Sequence, residues 1–470
     1  MLFSITYALP MVTAVLYRDG HLLDFIYAAV LCAGVGALVF GATHRHRREL
    51  RARDGFLLVS LAWILMSAIA AVPLIIALPG LSFTDAFFEA MSGLSTTGAT
   101  VLTGLDTMAP SLNLWRHALH WYGGMGIIVL VVAILPMLGV GGMQLYKAET
   151  PGPVKNEKLT PRITQTARAL WFVYLLGTAA CAVSLKLVGM SWFDAICHAF
   201  ATLALGGFST YDASVGHFDS AAVEAVLILF MLISAMNFAR HFIAWQQKSL
   251  RTYLTDIEAK AMLAIVGLSS VGIAVYIWLQ GVYADFPVAL RHVAFNLVSI
   301  ATDCGFVTQD YAAWPMFAPI VILMLSCYCA NTGSTGGGIK MFRTLVLFRQ
   351  AAREMFLLTH PQAVTPVKIG GQVVANKIVF AVLAFVVLYF GTVVTLTFML
   401  LASGLDFISS FSAVIACINN AGPGLGVVGP ASNYQGLTDF QTWVCSLAML
   451  LGRLEIFSVL VLLTPTFWRK

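Results

Sequence analysis

Four short apolar segments of this 470-residue chain, each running into glycine, decide its fold. They read SFTDAFFEAMSGLSTTGAT (82–100), SWFDAICHAFATLALGGFST (191–210), DFPVALRHVAFNLVSIATDCGFVT (285–308) and LDFISSFSAVIACINNAGPGLG (405–426). A helix of about 12 residues rises about 18 Å, roughly half of a bilayer's hydrocarbon layer. Each segment therefore predicts a re-entrant half-helix enclosed by protein or by a water-filled cavity. The alternative is four amphipathic loops that lie on the outer surface.

The composition places these segments in a membrane. The chain is 59% hydrophobic and 10% charged, with a mean hydropathy of +0.85, whereas soluble domains carry about 25% charged residues. This excludes a soluble enzyme and predicts an all-α polytopic membrane protein. Ten apolar stretches are long enough to span the bilayer, approximately 1–17, 22–43, 56–79, 114–138, 168–189, 221–245, 259–280, 316–342, 373–402 and 440–465.

The basic residues lie mainly in alternate connections between these stretches. They cluster at 45–53, 147–168, 248–260, 340–377 and 469–470. The positive-inside rule assigns these connections to the cytoplasm, so both termini are predicted to be cytoplasmic and the N-terminal stretch to be a retained span. A net charge of +5 without basic runs interleaved with aromatic residues excludes nucleic acid as a partner.

The four segments form an internal repeat. The glycines Gly98, Gly207, Gly305 and Gly422 are 109, 98 and 117 residues apart, and each interval accommodates two spans, a cytoplasmic loop and a half-helix. We therefore predict four span/half-helix/span units around one pore, preceded by an N-terminal helix pair. The predicted boundaries are 1–50 for the helix pair and 51–142, 143–245, 246–342 and 343–470 for the four units.

The half-helices carry a start signal. Ser82 and Ser191 each stand three residues before an aspartate, the pattern of a capped helix N-terminus. Ser403 and Asp406 repeat this cap in the fourth segment, whereas the third keeps only Asp285.

Glycine-centred strands after half-helices predict a cation filter. The partially negative C-terminal ends of the half-helices would point towards the middle of the membrane, where backbone carbonyls would replace a cation's hydration shell. Glycine suits this role because it has no Cβ and adopts positive φ readily. The predicted filter consists of Thr97, Gly98, Gly206, Gly207, Cys304, Gly305, Ala421 and Gly422.

The filter segments resemble those of the Trk/Ktr/HKT superfamily of potassium transporters, and in particular of its bacterial TrkH family. The resemblance extends to 121–163, GGFSTYDASVGHFDS (206–220), NTGSTGGGIK (331–340) and LGRLEIFSVL (451–460). It implies a potassium-selective pore in the bacterial inner membrane, with potassium as the bound substrate and no cofactor in this chain. It also implies a homodimer and a cytoplasmic ring of nucleotide-binding, TrkA-like regulator subunits.

The stretch 331–340 is the candidate gate. Its glycines, each costing about 1 kcal/mol relative to alanine, argue against a continuous helix. The resemblance implies a flexible intramembrane loop that blocks the pore below the filter, and a glycine-lined packing surface is the alternative. A nucleotide P-loop is excluded because Ile339-Lys340 breaks its G-K-[ST] ending. The predicted gate consists of Gly333, Gly336, Gly337, Gly338 and Arg453.

Several charged residues have two interpretations. Arg453 lies inside an apolar stretch, where a charge suggests a function: the resemblance places it in the pore near the loop, and a buried structural ion pair is the alternative. Direct pairing with Glu455 is not expected, because residues two apart face different sides of a helix. Asp303 would either attract cations at the outer mouth or cap a turn. Arg116 and Arg240 stand near span ends, where they would snorkel.

Other functions fit less well. The repeats are parallel, whereas secondary transporters are typically built from inverted repeats. There is no H-E-x-x-H motif, and His117 and His120 are interpreted as a packing pair, so no enzyme is predicted. Sodium permeation and proton- or sodium-coupled symport remain alternatives to a potassium pore.

The basic loops 143–167 and 343–372 would suit a regulator protein or anionic membrane lipid equally well. The eight cysteines form no C-x-x-C pair and are predicted to be packing residues.

Overall fold

The computed structural model describes residues 1–44, 52–129 and 163–469. These ranges are helical apart from loops and one antiparallel ladder, in which Lys368 pairs with Val373. The elements are α1 (Ala8–Tyr17), α2 (Leu22–Thr43), α3 (Ala52–Ala70), α4 (Val72–Ala77), α5 (Phe83–Ser95), α6 (Pro110–Val129), α7 (Ile163–Leu187), α8 (Trp192–Ala204), α9 (Ala221–Ser234), α10 (Phe238–Gln247), α11 (Arg251–Leu254), α12 (Ile257–Leu279), α13 (Phe286–Ala301), α14 (Phe317–Ser326), α15 (Met341–Thr359), β1 (Lys368–Ile369), β2 (Gln372–Val373), α16 (Asn376–Ala402), α17 (Phe407–Ile418), α18 (Asp439–Arg453), α19 (Phe457–Leu460) and α20 (Pro465–Trp468).

The long apolar helices identify a multi-pass membrane protein. Within the described ranges, five segments are long and apolar enough to span, namely α2, α3 with α4, α7, α12 and α16. Two further candidates are broken: α9 and α10 meet at 95°, and α18 and the segment 457–463 meet at 109°. The predicted helical membrane class is confirmed, and the count of ten spans stays a prediction. The predicted boundaries at 50/51 and 142/143, and most of the 121–163 motif, lie outside the described residues.

The four predicted half-helices are α5, α8, α13 and α17, with 13, 13, 16 and 12 residues. Each packs on a helix that belongs to the preceding predicted unit. The contacts run from α8 to α6, from α13 to α9, from α17 to α14 and from α5 to α18. Because the last of these contacts joins the fourth unit to the first, the packing is cyclic and brings the four C-terminal ends together.

The caps follow the sequence prediction in two of the four half-helices. The hydroxyls of Ser82 and Ser191 accept hydrogen bonds from the backbone N–H groups three residues on, as predicted. In the fourth segment the prediction was wrong, because the side chain of Asp406, not that of Ser403, accepts the N–H of Ser409 at 3.0 Å. Ser403 instead ends the preceding span α16. Asp285 stands at the N-cap position of α13 without a side-chain cap bond.

The predicted span 316–342 is interrupted. Helix α14 ends at Ser326, and the chain then forms an irregular buried loop, here called the 327–340 loop, before α15 begins at Met341. Gly333 and Gly338 have φ of +77° and +66° within it, conformations that cost little only for glycine. The prediction that this stretch would not be a continuous helix is therefore confirmed.

The interior is apolar, and the cysteines contribute to it. All eight cysteines are buried and unpaired, as predicted for packing residues. Trp115 of α6 stacks on Tyr7 at a ring distance of 4.6 Å, and its indole N–H donates to the carbonyl of Ala70. The stacking holds the N-terminal segment against the first predicted unit, and the hydrogen bond joins α6 to α3 within that unit.

Candidate functional site

Each half-helix ends in the same backbone turn. The first residue past the helix, or the second in α13 and α17, has positive φ, and a glycine with positive φ follows two positions later. The N–H between these two residues bonds to the carbonyl five residues back, at 2.8–2.9 Å in all four segments, which is the hydrogen bond of a Schellman turn. The pairs of positive-φ residues are Thr96 and Gly98, Leu205 and Gly207, Asp303 and Gly305, and Asn420 and Gly422.

The four glycines form a closed ring. A Cβ built on Gly422 would stand 2.6 Å from the carbonyl oxygen of Thr97, and one on Gly305 would stand 2.6 Å from that of Ala421. Gly98 faces the carbonyl of Gly206 in the same way, and Gly207 faces that of Cys304. Each strand therefore lies directly against the next, and the structure brings all eight predicted filter residues together.

The ring contains buried carbonyls without hydrogen-bond donors. Thr97, Gly206, Cys304 and Ala421 are buried, and no described residue donates a hydrogen bond to any of their carbonyl oxygens. The carbonyl of Gly422 differs, because the Tyr434 hydroxyl donates to it at 2.8 Å. Buried backbone carbonyls are nearly always paired with protein or water. Four such oxygens on successive strands of one ring therefore point to a ligand.

One side of the ring opens into a cavity of about 80 Å³, here called the vestibule. All four ring glycines line it, together with residues from the loops that follow the strands. Those loops are tied to one another: Asp212 accepts the N–H groups of Gly104 and Leu105 at 2.8 and 3.1 Å, and Tyr434 donates its N–H to Thr100. The vestibule wall is thus held by bonds between segments that are far apart in the sequence.

A polar side chain in each half-helix holds the strand that follows it. In the first three segments this residue stands nine positions before the ring glycine, and in the fourth it stands ten before. These residues were not predicted from the sequence, although the polar residue nine positions before the glycine in the first three apolar segments is a signal that identifies three of them. The pairs are Glu89 with Val101 N (3.0 Å), His198 with Ser209 Oγ (3.0 Å), Asn296 with Thr308 N (3.1 Å) and Ser412 with Leu425 N (2.8 Å).

Glu89 and Arg116 form a buried ion pair beside the ring, with 2.7 Å between Glu89 Oε1 and Arg116 Nη2. The Glu89 carboxylate also accepts the Thr100 hydroxyl at 3.0 Å, and the Arg116 guanidinium lies 4.2 Å from the ring centre of Phe208. The pair thereby joins the first and second strands. The expectation that Arg116 would snorkel was wrong, because its side chain is fully buried with its counter-ion inside the protein. Arg240 is half-buried and lies 3.5 Å from Asp256.

His117 and His120 support the second strand. The Nε2 of His117 lies 3.1 Å from the carbonyl of Phe208, and the His120 ring stacks on the Phe208 ring at 4.1 Å. A Cβ on Gly206 would clash with the His120 ring. Both histidines are buried, so they pack as predicted, but against a ring strand. Among the described residues no group of three or more His, Cys, Asp or Glu side chains is arranged to hold a metal ion.

The 327–340 loop lies against the face of the ring opposite the vestibule. A Cβ on Gly336 would stand 3.1 Å from the carbonyl of Thr302, and one on Gly337 would meet the carbonyl of Asn419. Both of these partners precede ring strands. The structure thus places two of the predicted gate glycines, Gly336 and Gly337, directly beside the third and fourth strands, whereas Gly333 faces Asn237 and Gly338 faces the end of α14.

Arg453 fastens this loop to α6. Its guanidinium donates to the carbonyl of Thr335 at 2.9 Å and to that of Gly123 at 3.0 Å. Arg453 is 3% exposed. As predicted, it does not pair with Glu455, which instead forms an ion pair with Arg343 at 2.6 Å.

Asp303 also contacts the loop. Its carboxylate accepts the N–H of Gly337 at 3.0 Å, and the residue is fully buried. Asp303 precedes its ring glycine and lies on the loop side of the ring, opposite the vestibule. Asp303 occupies the left-handed turn that ends α13, with φ of +64°. Lys340 donates its ammonium to the carbonyl of Gly336 nearby.

Short helices that surround a ring of backbone carbonyls are typical of membrane proteins that move cations. The chain belongs to the TrkH family of cation transport proteins, whose family model matches residues 22–470. The predicted family membership is thereby confirmed.

Individual relatives match over the full length. The chain is 47% identical to the Trk system potassium uptake protein TrkH of Vibrio parahaemolyticus, and 43% identical to that of Escherichia coli, with 100% of this chain and 97% of each relative covered. Its structure matches the crystal structure of the potassium transporter TrkH from Vibrio parahaemolyticus with a TM-score of 0.91 at 44% identity, covering 100% of this chain and 97% of the other.

Removing the buried carboxylate should destabilise the protein. We expect Glu89→Ala to lower the free energy of unfolding by about 3–5 kcal/mol, because it leaves the Arg116 charge buried without its partner. Thermal unfolding of the detergent-purified protein measures this effect. Glu354→Ala removes an exposed glutamate and should change stability by less than about 0.5 kcal/mol. Equal unfolding temperatures for the two variants would contradict a stabilising role for the pair.

Proposed function

We propose that this protein is the ion-conducting subunit of a potassium uptake system and that K⁺ passes through the glycine ring. The observation that carries the proposal is the set of four buried carbonyl oxygens without donors, at Thr97, Gly206, Cys304 and Ala421. An unsatisfied buried polar group costs about 1–3 kcal/mol. A dehydrated cation that these oxygens coordinate would remove that cost. The relatives' description as potassium uptake proteins supports K⁺ as that cation.

The proposal includes an orientation. The four units surround one pore, the vestibule opens to the outside, and the 327–340 loop lies on the cytoplasmic side. The basic connections support this orientation and place both termini in the cytoplasm of a bacterial inner membrane. An inside-negative potential then contributes about 2.3 kcal/mol per charge per 100 mV to inward movement. The chain's own residues supply coordination and a path, and no chemical step is needed.

The proposed gate is the loop beneath the ring. Gly333, Gly336, Gly337 and Gly338 give it the conformational freedom to move, while Arg453 and Asp303 hold it in place through Thr335 and Gly337. A cytoplasmic ring of nucleotide-binding regulator subunits would act on this loop, and two copies of the chain would form a homodimer. The name "Trk system" for the relatives supports an assembly of several components.

The first test is ion flux into liposomes that contain the purified protein under an inside-negative potential. We expect passive uptake of K⁺ and Rb⁺ at least about tenfold faster than that of Na⁺ or Li⁺, a difference of about 1.4 kcal/mol. Protein-free liposomes are the control. Equal Na⁺ uptake would overturn potassium selectivity, and uptake that strictly needs a proton or sodium gradient would replace the pore with a coupled transporter.

Adding a methyl group to the ring should damage selectivity. In Gly422→Ala the new Cβ would stand 2.6 Å from the carbonyl of Thr97, so the fourth and first strands must separate. We expect the ratio of K⁺ to Na⁺ flux to fall at least about tenfold.

The matched control for this substitution is Gly391→Ala. Gly391 lies in α16 with no atom within 4 Å of an added Cβ, so this variant should keep the wild-type flux ratio. An unchanged ratio in a folded Gly422→Ala protein would remove the ring from the selectivity mechanism.

Neutralising Arg453 should open the gate. Arg453→Ala removes the bonds that fasten the loop to α6, each worth about 1.5–3 kcal/mol. We expect K⁺ flux through the protein without a regulator to rise at least about tenfold, with the K⁺ to Na⁺ ratio unchanged. Arg349→Ala, which removes an exposed arginine of α15, is the control. Unchanged flux in Arg453→Ala at equal incorporation would exclude Arg453 from the gate.

A further inference from the structure

An apolar groove of about 460 Å³ lies between α7, α9 and α10, here called the α7–α10 groove. Its volume is within the range of small-molecule pockets. The side chains that line it are largely hydrocarbon, among them Val173, Leu176, Phe230, Ile233 and Trp245. The groove is formed where α9 and α10 meet at 95°, so the break in this span creates it.

The surroundings of the groove show which medium it faces. On α7, Leu176 is 41% exposed and the neighbouring Phe172 and Leu175 are 50% and 54% exposed. In a multi-pass membrane protein, exposed apolar side chains on a spanning helix contact lipid acyl chains. The groove therefore opens onto the bilayer.

One end of the groove carries positive charge. Lys248, which follows α10, lines the groove and is exposed, and none of the described lining residues is acidic. Trp245 and Leu250 are 58% and 76% exposed beside it. An exposed tryptophan next to a lysine at a helix end is typical of the membrane–water interface, where lysine binds anionic head groups. The charge thus stands where a phospholipid head group would lie.

The inner wall of the groove contacts the proposed gate. Phe238, which lines the groove, donates its N–H to the carbonyl of Gly333 at 3.1 Å. Leu203, which also lines it, accepts the hydroxyl of Thr335 at 3.2 Å. Between α9 and α10, Ala235 accepts the N–H of Asn331 at 3.0 Å. The 327–340 loop is therefore docked on the break between α9 and α10, and the groove lies on the other side of that break.

We propose that the α7–α10 groove binds an acyl chain of an anionic phospholipid, with the head group on Lys248, and that occupancy keeps the 327–340 loop docked. An acyl chain in the groove packs against Phe238 and Leu203 on the side opposite the loop. Because those residues hold Gly333 and Thr335, the filled groove favours the closed position and lowers K⁺ flux. This second part rests on the proposed function, whereas the binding site does not.

Binding is tested with the intact protein in detergent, titrated with phosphatidylglycerol or phosphatidylcholine and followed by native mass spectrometry. We expect saturable binding of phosphatidylglycerol, weakened about fivefold in Lys248→Gln, since one lysine contributes about 1 kcal/mol to binding an anionic membrane surface. Ala180→Phe places a ring in the groove and should abolish saturable binding.

Each variant has a matched control. Ala179→Phe adds the same ring to the neighbouring exposed position of α7, which does not line the groove, and Lys260→Gln removes an exposed lysine elsewhere. Both should bind like wild type. Equal binding by Ala180→Phe and Ala179→Phe would overturn the groove as the site. Equal binding of the two lipids, or no effect of Lys248→Gln, would overturn the anionic head-group contact.

The consequence for transport is measured as K⁺ flux in liposomes with and without phosphatidylglycerol. We expect flux through the wild type to rise at least about twofold when the anionic lipid is omitted, and flux through Ala180→Phe not to change with lipid. Flux independent of lipid in the wild type would overturn the regulatory part. If the binding results hold but no liposome passes K⁺, the proposed function fails and the lipid site stands.

Discussion

The closeness of the four strands is the constraint on which the rest of the structure depends. Each ring glycine lies so near the carbonyl of the next strand that a Cβ would force the two strands apart. This contact requires the four half-helices to end at one level, and the cyclic packing of each half-helix on the preceding unit provides that alignment. The Schellman turns then lead each strand into the ring, where one buried carbonyl per strand has no hydrogen-bond donor among the described residues.

Buried polar groups maintain this geometry at a depth where unpaired charge is costly. The Glu89–Arg116 pair and the amide of Asn296 hold the strands through bonds of 2.7–3.1 Å, so side chains of the protein fix the position of the strands. On the other face, Arg453 and Asp303 bond to the loop backbone at Thr335 and Gly337. Buried polar side chains therefore hold both the ring strands and the loop, but the loop is glycine-rich and the ring strands are braced by their half-helices.

The break between α9 and α10 connects the 327–340 loop to the lipid-facing helices. The interruption between α9 and α10 accepts the loop on one side and forms the α7–α10 groove on the other. A continuous helix would satisfy its own backbone groups, whereas a broken one leaves groups that partners must pair. In this chain the 327–340 loop supplies two of those partners, Asn331 and Gly333, which links the position of the loop to the packing of the lipid-facing helices.

Local properties of the sequence predicted the membrane class and the positions of four short helices that run into glycine turns, because length, hydropathy and the lack of a Cβ act within one segment. That the eight ring residues form an ion filter stays a prediction. The cap at Ser403 and the snorkelling of Arg116 were predicted wrongly, and the contact of Asp303 with the loop was not predicted. The contacts of Arg116 and Asp303 depend on distant segments: Arg116 bonds to Glu89, 27 positions earlier, and Asp303 bonds to Gly337, 34 positions later. A single sequence does not specify such pairings, because they arise only when the packed helices bring separate segments within hydrogen-bond distance.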